Sequence, residues 1–329
     1  MKKSRTIKLF SARAAMLMLA AMSSVGVQSQ TFKLEGNNIP YKAVIDGTSG
    51  TDVNIPREAG TMISEIEYNR IFQIGVPATI VLPFPTTTDM TVTGGNFYQF
   101  NGVEYNQSAG QWVATMTWVD ATNLQRNTPY IVVPTESKLN FDLRESEAHV
   151  YTDAATVTFD CWAFVGTYKK VYWVDKSVDV ATSGIVADDG NMHQVEVGDY
   201  YGFAANYGEA FNGGFVTAGE FVKCSGDGST GNSAYILPMR AYLMFVGDEK
   251  CSANNDTQMI TRSSGSSLPS SIAVVLRNAD GQVASVGAVS KETGEITFEG
   301  WFTLDGIKLP AEPTESGVYI HNGKKIVVK

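Results

Sequence analysis

Asp160 lies in the run TVTFDCWAFVG, two residues before Trp162 and four before Phe164. Taken as one extended strand, that spacing sets a carboxylate and two flat rings on a single face. Such a face suits polysaccharide: rings stack on sugars, and a carboxylate can serve as acid or base. Trp173, in FVGTYKKVYW, extends the aromatic group. Trp162, Phe164 and Trp173 are therefore the candidate ligand-binding residues. Their other reading is the second core face of a sandwich, which buries both sides of an inner strand. Glycan hydrolysis needs a second, facing carboxylate. Linear spacing supplies none for Asp160, which reads more simply as a residue of an exposed edge.

Other chemistry is thinly written. The histidines are His149, His193 and His321, the last two beside turns and expected in solvent. No HExxH, GxSxG or phosphate-loop pattern occurs, so no catalytic residue is assigned. Gly226–Gly231 (GDGSTG) opens no helix and makes a poor phosphate cradle. Asp188, Asp189 and Asn191 lack the ligand spread of a calcium loop and read as a hairpin turn. Arg240 is expected to be a half-buried partner of an acid. No metal or cofactor is expected. The chain has three cysteines and no CxxC. Cys224 and Cys251 bracket a Gly/Ser-rich loop and a strand, and are the candidate disulfide. Cys161 reads as a small buried hydrophobe. Three free thiols are the alternative.

The elements that must position these residues have a period of two. QWVATMTWV collects Trp112, Ala114, Met116 and Trp118 on one parity, and ITFEGWFTL and KKIVVK continue the habit. Asp46-Gly47, Asn101-Gly102, Asp189-Gly190, Asp280-Gly281, Asp305-Gly306 and Asn322-Gly323 punctuate the runs as hairpin turn pairs. Pro83, Pro134 and Pro238 each follow an apolar run and mark a strand end, an edge or a bulge. The expected fold class is all-β: an antiparallel sandwich-like main domain plus a small C-terminal β module.

Residues 1–29 form a secretory signal in this reading. Lys2, Lys3, Arg5, Lys8 and Arg13 precede an apolar run from Ala14 to Ala21, with Val27 and Ser29 set for cleavage before Gln30. The run is too short for a membrane-spanning helix, and no later segment is apolar enough. Those five cations removed, the remainder carries −14 against −9 for the whole chain, which argues against nucleic acid and anionic lipid as partners. The divisions expected are an N-terminal β segment (30–59), a main β domain (60–251), a Ser-rich linker (252–271) and a tail module (272–329).

The tail has an aromatic strand running into a turn (Trp301 to Gly306), the Lys308-Leu309 pair, a Pro-rich connector, a Gly317–Ile320 strand, an Asn-Gly turn and a Lys-rich strand from Lys324 to Lys329. In this order it resembles the C-terminal sorting domains of the type IX secretion family, found on exported proteins of Bacteroidota-type bacteria. Ile307 stands where such tails usually carry Arg. The resemblance implies a hairpin read by an outer-membrane export machine, with Gly317, Tyr319, Asn322, Gly323, Lys324 and Lys325 as sorting-signal residues. YNRIFQIGVPATIVLPF, NTPYIVVP, FVGTY and YILPMRAYLMF are similar to a β module of unassigned activity in secreted proteins of the same bacteria. The expected protein is thus exported to the outer surface or beyond. It has a binding, adhesion or structural role, with the export machinery and a glycan or surface polymer as partners. The alternative is an extracellular hydrolase acting on polysaccharide or another polymer.

Overall fold

Alternating apolar residues pair as strands along the chain, and the computed structural model is all-β. It describes residues 30–57, 61–106, 111–175, 192–195, 200–204, 208–209, 215–216, 219–224, 234–247, 251–252, 259–260, 268–280, 283–285, 288–289, 296–297, 301–303, 308–309, 312–314, 316–321 and 324–328. Among these there is no α-helix. Ala121–Asn123 makes one 3₁₀ turn, capped by the Asp120 carboxylate, which accepts from the Thr122 amide at 2.9 Å. Among the described residues no helix is long and apolar enough to cross a membrane. The expected signal, residues 1–29, lies outside the described residues.

One large sheet dominates. Its order runs from Thr156–Phe159 through Trp162–Thr167, Arg240–Phe245, Tyr200–Phe203, Phe221–Lys223, Ser271–Arg277, Gln111–Val119, Gly95–Asn106 and Pro129–Pro134 to Ala78–Val81. A twisted sheet this wide tends to curl, and this one curls until its last strand meets its third. The Val81 amide donates to the Met239 carbonyl at 3.2 Å, and the Ala241 amide donates to Thr79 Oγ1 at 3.1 Å. Gly166 permits the approach, since a Cβ there would stand 2.9 Å from Val81 Cγ2. The outcome is the sandwich-like body expected, with core side chains between facing walls.

Pairing is antiparallel except at three places among the described residues: Tyr41–Asp46 with Met62–Asn69, Gln111–Val119 with Ser271–Arg277, and Val171–Asp175 with Met192–Val195. Parallel neighbours need long crossovers, which a reading based on short hairpins does not foresee. Ser271–Arg277 (SIAVVLR), taken from the sequence as the head of the tail module, instead fills the gap between Phe221–Lys223 and Gln111–Val119 in the large sheet. Leu268 packs on the core and the Pro269 carbonyl accepts from the Tyr201 hydroxyl at 2.7 Å. The final residues of the expected linker therefore belong to the body. A Ser-rich composition says little about the few apolar residues at its end.

Two turn readings change. TVTFDCWAFVG is a hairpin and not one strand: Phe159 faces Trp162 across a two-residue connection, with Asp160 at φ 50. Asp tolerates that left-handed conformation better than most residues. Asp160 and the two rings therefore do not share a strand face. Asn101-Gly102, in contrast, is not a turn. The Gly95–Asn106 strand runs on through it with a register shift between Phe100 and Val103. Gly102, at φ 113, makes the bulge possible, since a Cβ there would stand 2.6 Å from the Phe159 ring.

Aromatic rings join the two walls. Phe164 is fully buried, 5.8 Å from Phe100 on one side and 5.8 Å from Phe221 on the other. Trp162 packs edge-on against Tyr201 at 5.5 Å and Phe245 at 5.2 Å. A four-stranded sheet lies alongside (Phe32–Glu35, Tyr41–Asp46, Met62–Asn69, Ala148–His149). Another four-stranded sheet is built from tail residues in the order Lys308–Leu309, Trp301–Thr303, Gly317–His321, Lys324–Val328. Replacing Phe164 by Ala removes the ring that spans the walls and should cost about 3–5 kcal/mol, as large core truncations do. Denaturant unfolding checks this, and a loss under about 1 kcal/mol would contradict the central position given to that ring.

Candidate functional site

The expected aromatic face is interior. Trp162, Phe164 and Trp173 are 2 %, 0 % and 1 % exposed, so none of them can stack on a sugar in solvent. Alternation is the reason: an inner strand of a closed sandwich buries a face that looks like a platform on paper. Asp160 is exposed on its turn, away from those rings. His149 is exposed, and its carbonyl accepts from Arg126. His321, expected in solvent, is half-buried and stacks on Trp301 with ring centroids 4.3 Å apart. The His193 side chain, Asp188, Asp189, Asn191 and residues 226–231 lie outside what is described. Among the described residues no His, Cys, Asp and Glu group could hold a metal ion.

The opposite parity of the same strand does carry an exposed aromatic pair. Val171–Asp175 pairs with Tyr235–Ile236 so that Val171 faces Ile236 and Tyr172 faces Tyr235. Val171, Trp173 and Ile236 turn inward, while Tyr235 is 59 % exposed and Tyr172 half-buried. The tyrosine rings lie 5.7 Å apart at 39°. Lys170 Nζ stands 4.7 Å from the Tyr172 ring centre and 5.8 Å from that of Tyr235. The Lys170 amide donates to Asp52 Oδ1 at 2.9 Å, which holds this strand's start against the 47–53 segment. Two tiled rings beside a cation can stack on the apolar face of a sugar and meet a negative or hydroxylic substituent. The sequence held the clue in KKVYW, where the tyrosine sits one residue from the tryptophan and so on the other face.

Beneath this pair lies a small core of Val171, Trp173, Cys224 and Ile236, flanked by Tyr200 and Tyr242. Trp173 meets Tyr242 edge-on at 5.2 Å and Tyr200 at 6.2 Å. Cys224 is a buried free thiol, whereas Cys161 is disulfide-bonded. The expected Cys224–Cys251 bridge is thus not formed; Cys161 is buried in the core as expected, but within a disulfide. The misassigned turn explains this. Cys161 sits at a hairpin tip, where a side chain can reach a partner, and Cys224 faces the floor of the tyrosine pair. The Cys251 side chain lies outside the described residues.

The tail hairpin forms as expected. Gly317–His321 pairs with Lys324–Val328 in the register Val318 to Val327 and Tyr319 to Ile326. Asn322, Gly323 and the side chains of Lys324 and Lys325 lie outside the described residues. Among the described residues Lys324–Val328 ends its sheet. It carries Val327 at 66 % and Ile326 at 36 % exposure, beside Val318 at 42 %. Exposed apolar side chains on an unpaired edge invite another strand. No family model, no curated protein and no solved structure matches this chain.

Burial raises the Cys224 thiol from 9.0 to about 12. The folded state therefore keeps a proton that the unfolded chain releases, and the thiol's contribution to stability, full below pH 9, is lost as pH rises from 9 toward 12. Burial also raises the Tyr242 hydroxyl to about 12, with Tyr200 and then Cys224 adding to the effect. Cys224→Ala should flatten part of the alkaline fall in unfolding free energy, measured by denaturant titration across that range. An unchanged slope would contradict a dry thiol.

Proposed function

We propose that this chain is an exported β protein of the outer cell surface, with a binding or structural body and a tail hairpin by which an export machine takes hold of it. The observation that carries the reading is the Lys324–Val328 strand, which ends its sheet among the described residues and leaves Ile326 and Val327 exposed. An edge of this kind recruits a partner by adding a strand: backbone hydrogen bonds give affinity and alternate side chains give specificity. The disulfide at Cys161 supports the same reading, because such bonds persist in oxidising compartments. The acidic balance fits a soluble exterior body. Deleting 317–329 should leave the large sheet folded and hold the protein inside the envelope. Normal yield of the truncated protein at the surface or in the medium would defeat the export reading.

The body's binding role rests on Tyr172, Tyr235 and Lys170 as a stacking platform for polysaccharide. Because both rings turn away from the core, Tyr172→Ala with Tyr235→Ala should abolish retention on a glycan column while leaving circular dichroism unchanged. Retention that survives the double substitution would remove the platform from the account.

A further inference from the structure

Cys161 is disulfide-bonded and Cys224 is a free, buried thiol. The chain has one other cysteine, Cys251. The large sheet explains why Cys224 is left out. Cys161 leads into Trp162–Thr167, where Trp162 faces Phe245 on the next strand. Tyr200–Phe203 and then Phe221–Lys223 follow in the sheet, and the Cys224 amide donates to the Tyr200 carbonyl at 2.7 Å. Three strand spacings, about 14 Å, therefore separate Cys161 from Cys224. A disulfide joins Cα atoms less than about 7 Å apart. Cys224 is also dry, packed with Trp173, Tyr200 and Tyr242, and burial pushes its thiol up to about 12. It stays protonated near neutral pH, and only a thiolate attacks a disulfide.

The remaining cysteine is within reach. The Val246 amide donates to the Cys161 carbonyl at 2.8 Å, so the chain leaves Arg240–Phe245 alongside the tip of the Phe159–Trp162 turn. Cys251 follows Val246 by five residues, and extended chain covers about 3.3 Å per residue. Its backbone is already in a strand, since Cys251–Ser252 pairs antiparallel with Met259–Ile260.

We infer that Cys161 Sγ is bonded to Cys251 Sγ of the same chain, and that this bond staples the Cys251–Ser252 strand to the tip of the Phe159–Trp162 turn. Two thiols give up two protons and two electrons to form it. A small-molecule disulfide accepts them by exchange and leaves as two thiols. The bond closes a loop of about 90 residues, which restricts the unfolded chain strongly. It also fixes where the chain sets out for Ser271–Arg277, three places along the sheet from Arg240–Phe245. Ser271–Arg277 pairs parallel with Gln111–Val119, so no short hairpin places it. The staple holds the start of that crossover, and reduction leaves the strand to its ladder alone.

The test uses the full mature chain, equilibrated with oxidised glutathione and alkylated in denaturant before digestion. Mass spectrometry should find one linked peptide pair holding Cys161 and Cys251, with the alkyl group on Cys224. Cys224 joined to either cysteine, a bond between two copies, or three alkylated cysteines would each overturn the pairing. The role of the bond is read separately. Reductant should lower the melting midpoint of the oxidised protein by roughly 10 °C, the effect of opening a loop this long. Cys251→Ser should show the lower midpoint without reductant and no further fall with it. An oxidised wild-type midpoint that ignores reductant would overturn the stapling role, whether or not the variant folds.

Discussion

Closure of the large sheet depends on a seam in which polar groups do what a continuous ladder does elsewhere. Ala78–Val81 already pairs with Pro129–Pro134 along one side. On the other side it meets Met239 and Ala241 through one backbone bond and one threonine hydroxyl. Arg70 donates to the Thr79 carbonyl, and Arg240 donates to the carbonyl of Gly47, just past the end of the Tyr41–Asp46 strand. Glycine appears where a neighbouring side chain lies on the backbone: Val81 on Gly166 and Arg70 on Gly47. The seam therefore orders three things together, the curl of the sheet, the docking of the 41–46 and 62–69 strands, and the burial of the aromatic wall around Phe164.

Much of this was legible from residue types, and what failed did so for local reasons. Period-two runs marked the strands and proline marked their ends, as at Pro83 and Pro134. The Asn322-Gly323 signal foretold a hairpin that pairs Val318 with Val327. TVTFDCWAFVG misled because a two-residue turn with Asp at positive φ carries no glycine to announce it. Asn101-Gly102 misled in the opposite sense, since the same pair that makes a turn also makes a bulge. Parallel partners such as Gln111–Val119 and Ser271–Arg277 are far apart in the chain, and alternation alone cannot pair them. Lone Arg240 suggested an acid nearby, because sequence cannot reveal that a second arginine arrives from Arg70.

The surface proposed for binding follows the same logic. A strand in a sandwich offers one parity to the core and the other to water. Trp173 took the inward side and Tyr172 the outward one, so the largest rings build the body while smaller, hydroxyl-bearing rings meet solvent. Lys170 sits over both tyrosines because it precedes Val171 at the strand's start. The Ile326 and Val327 strand, which ends its sheet among the described residues, also leaves apolar surface to solvent. Such an edge is a liability unless something covers it.

Hydrogen exchange at the Ala241 and Val81 amides reports most directly on whether the seam closes the fold. Both donate across it, to Thr79 Oγ1 and to the Met239 carbonyl. If closure is part of the cooperative unit, they exchange only through global unfolding, with the same opening free energy as the Leu243 amide inside the sheet. Exchange at the rate of amides in the Lys324–Val328 edge strand would mean that the sheet opens there freely and that its closure does not hold the rest together.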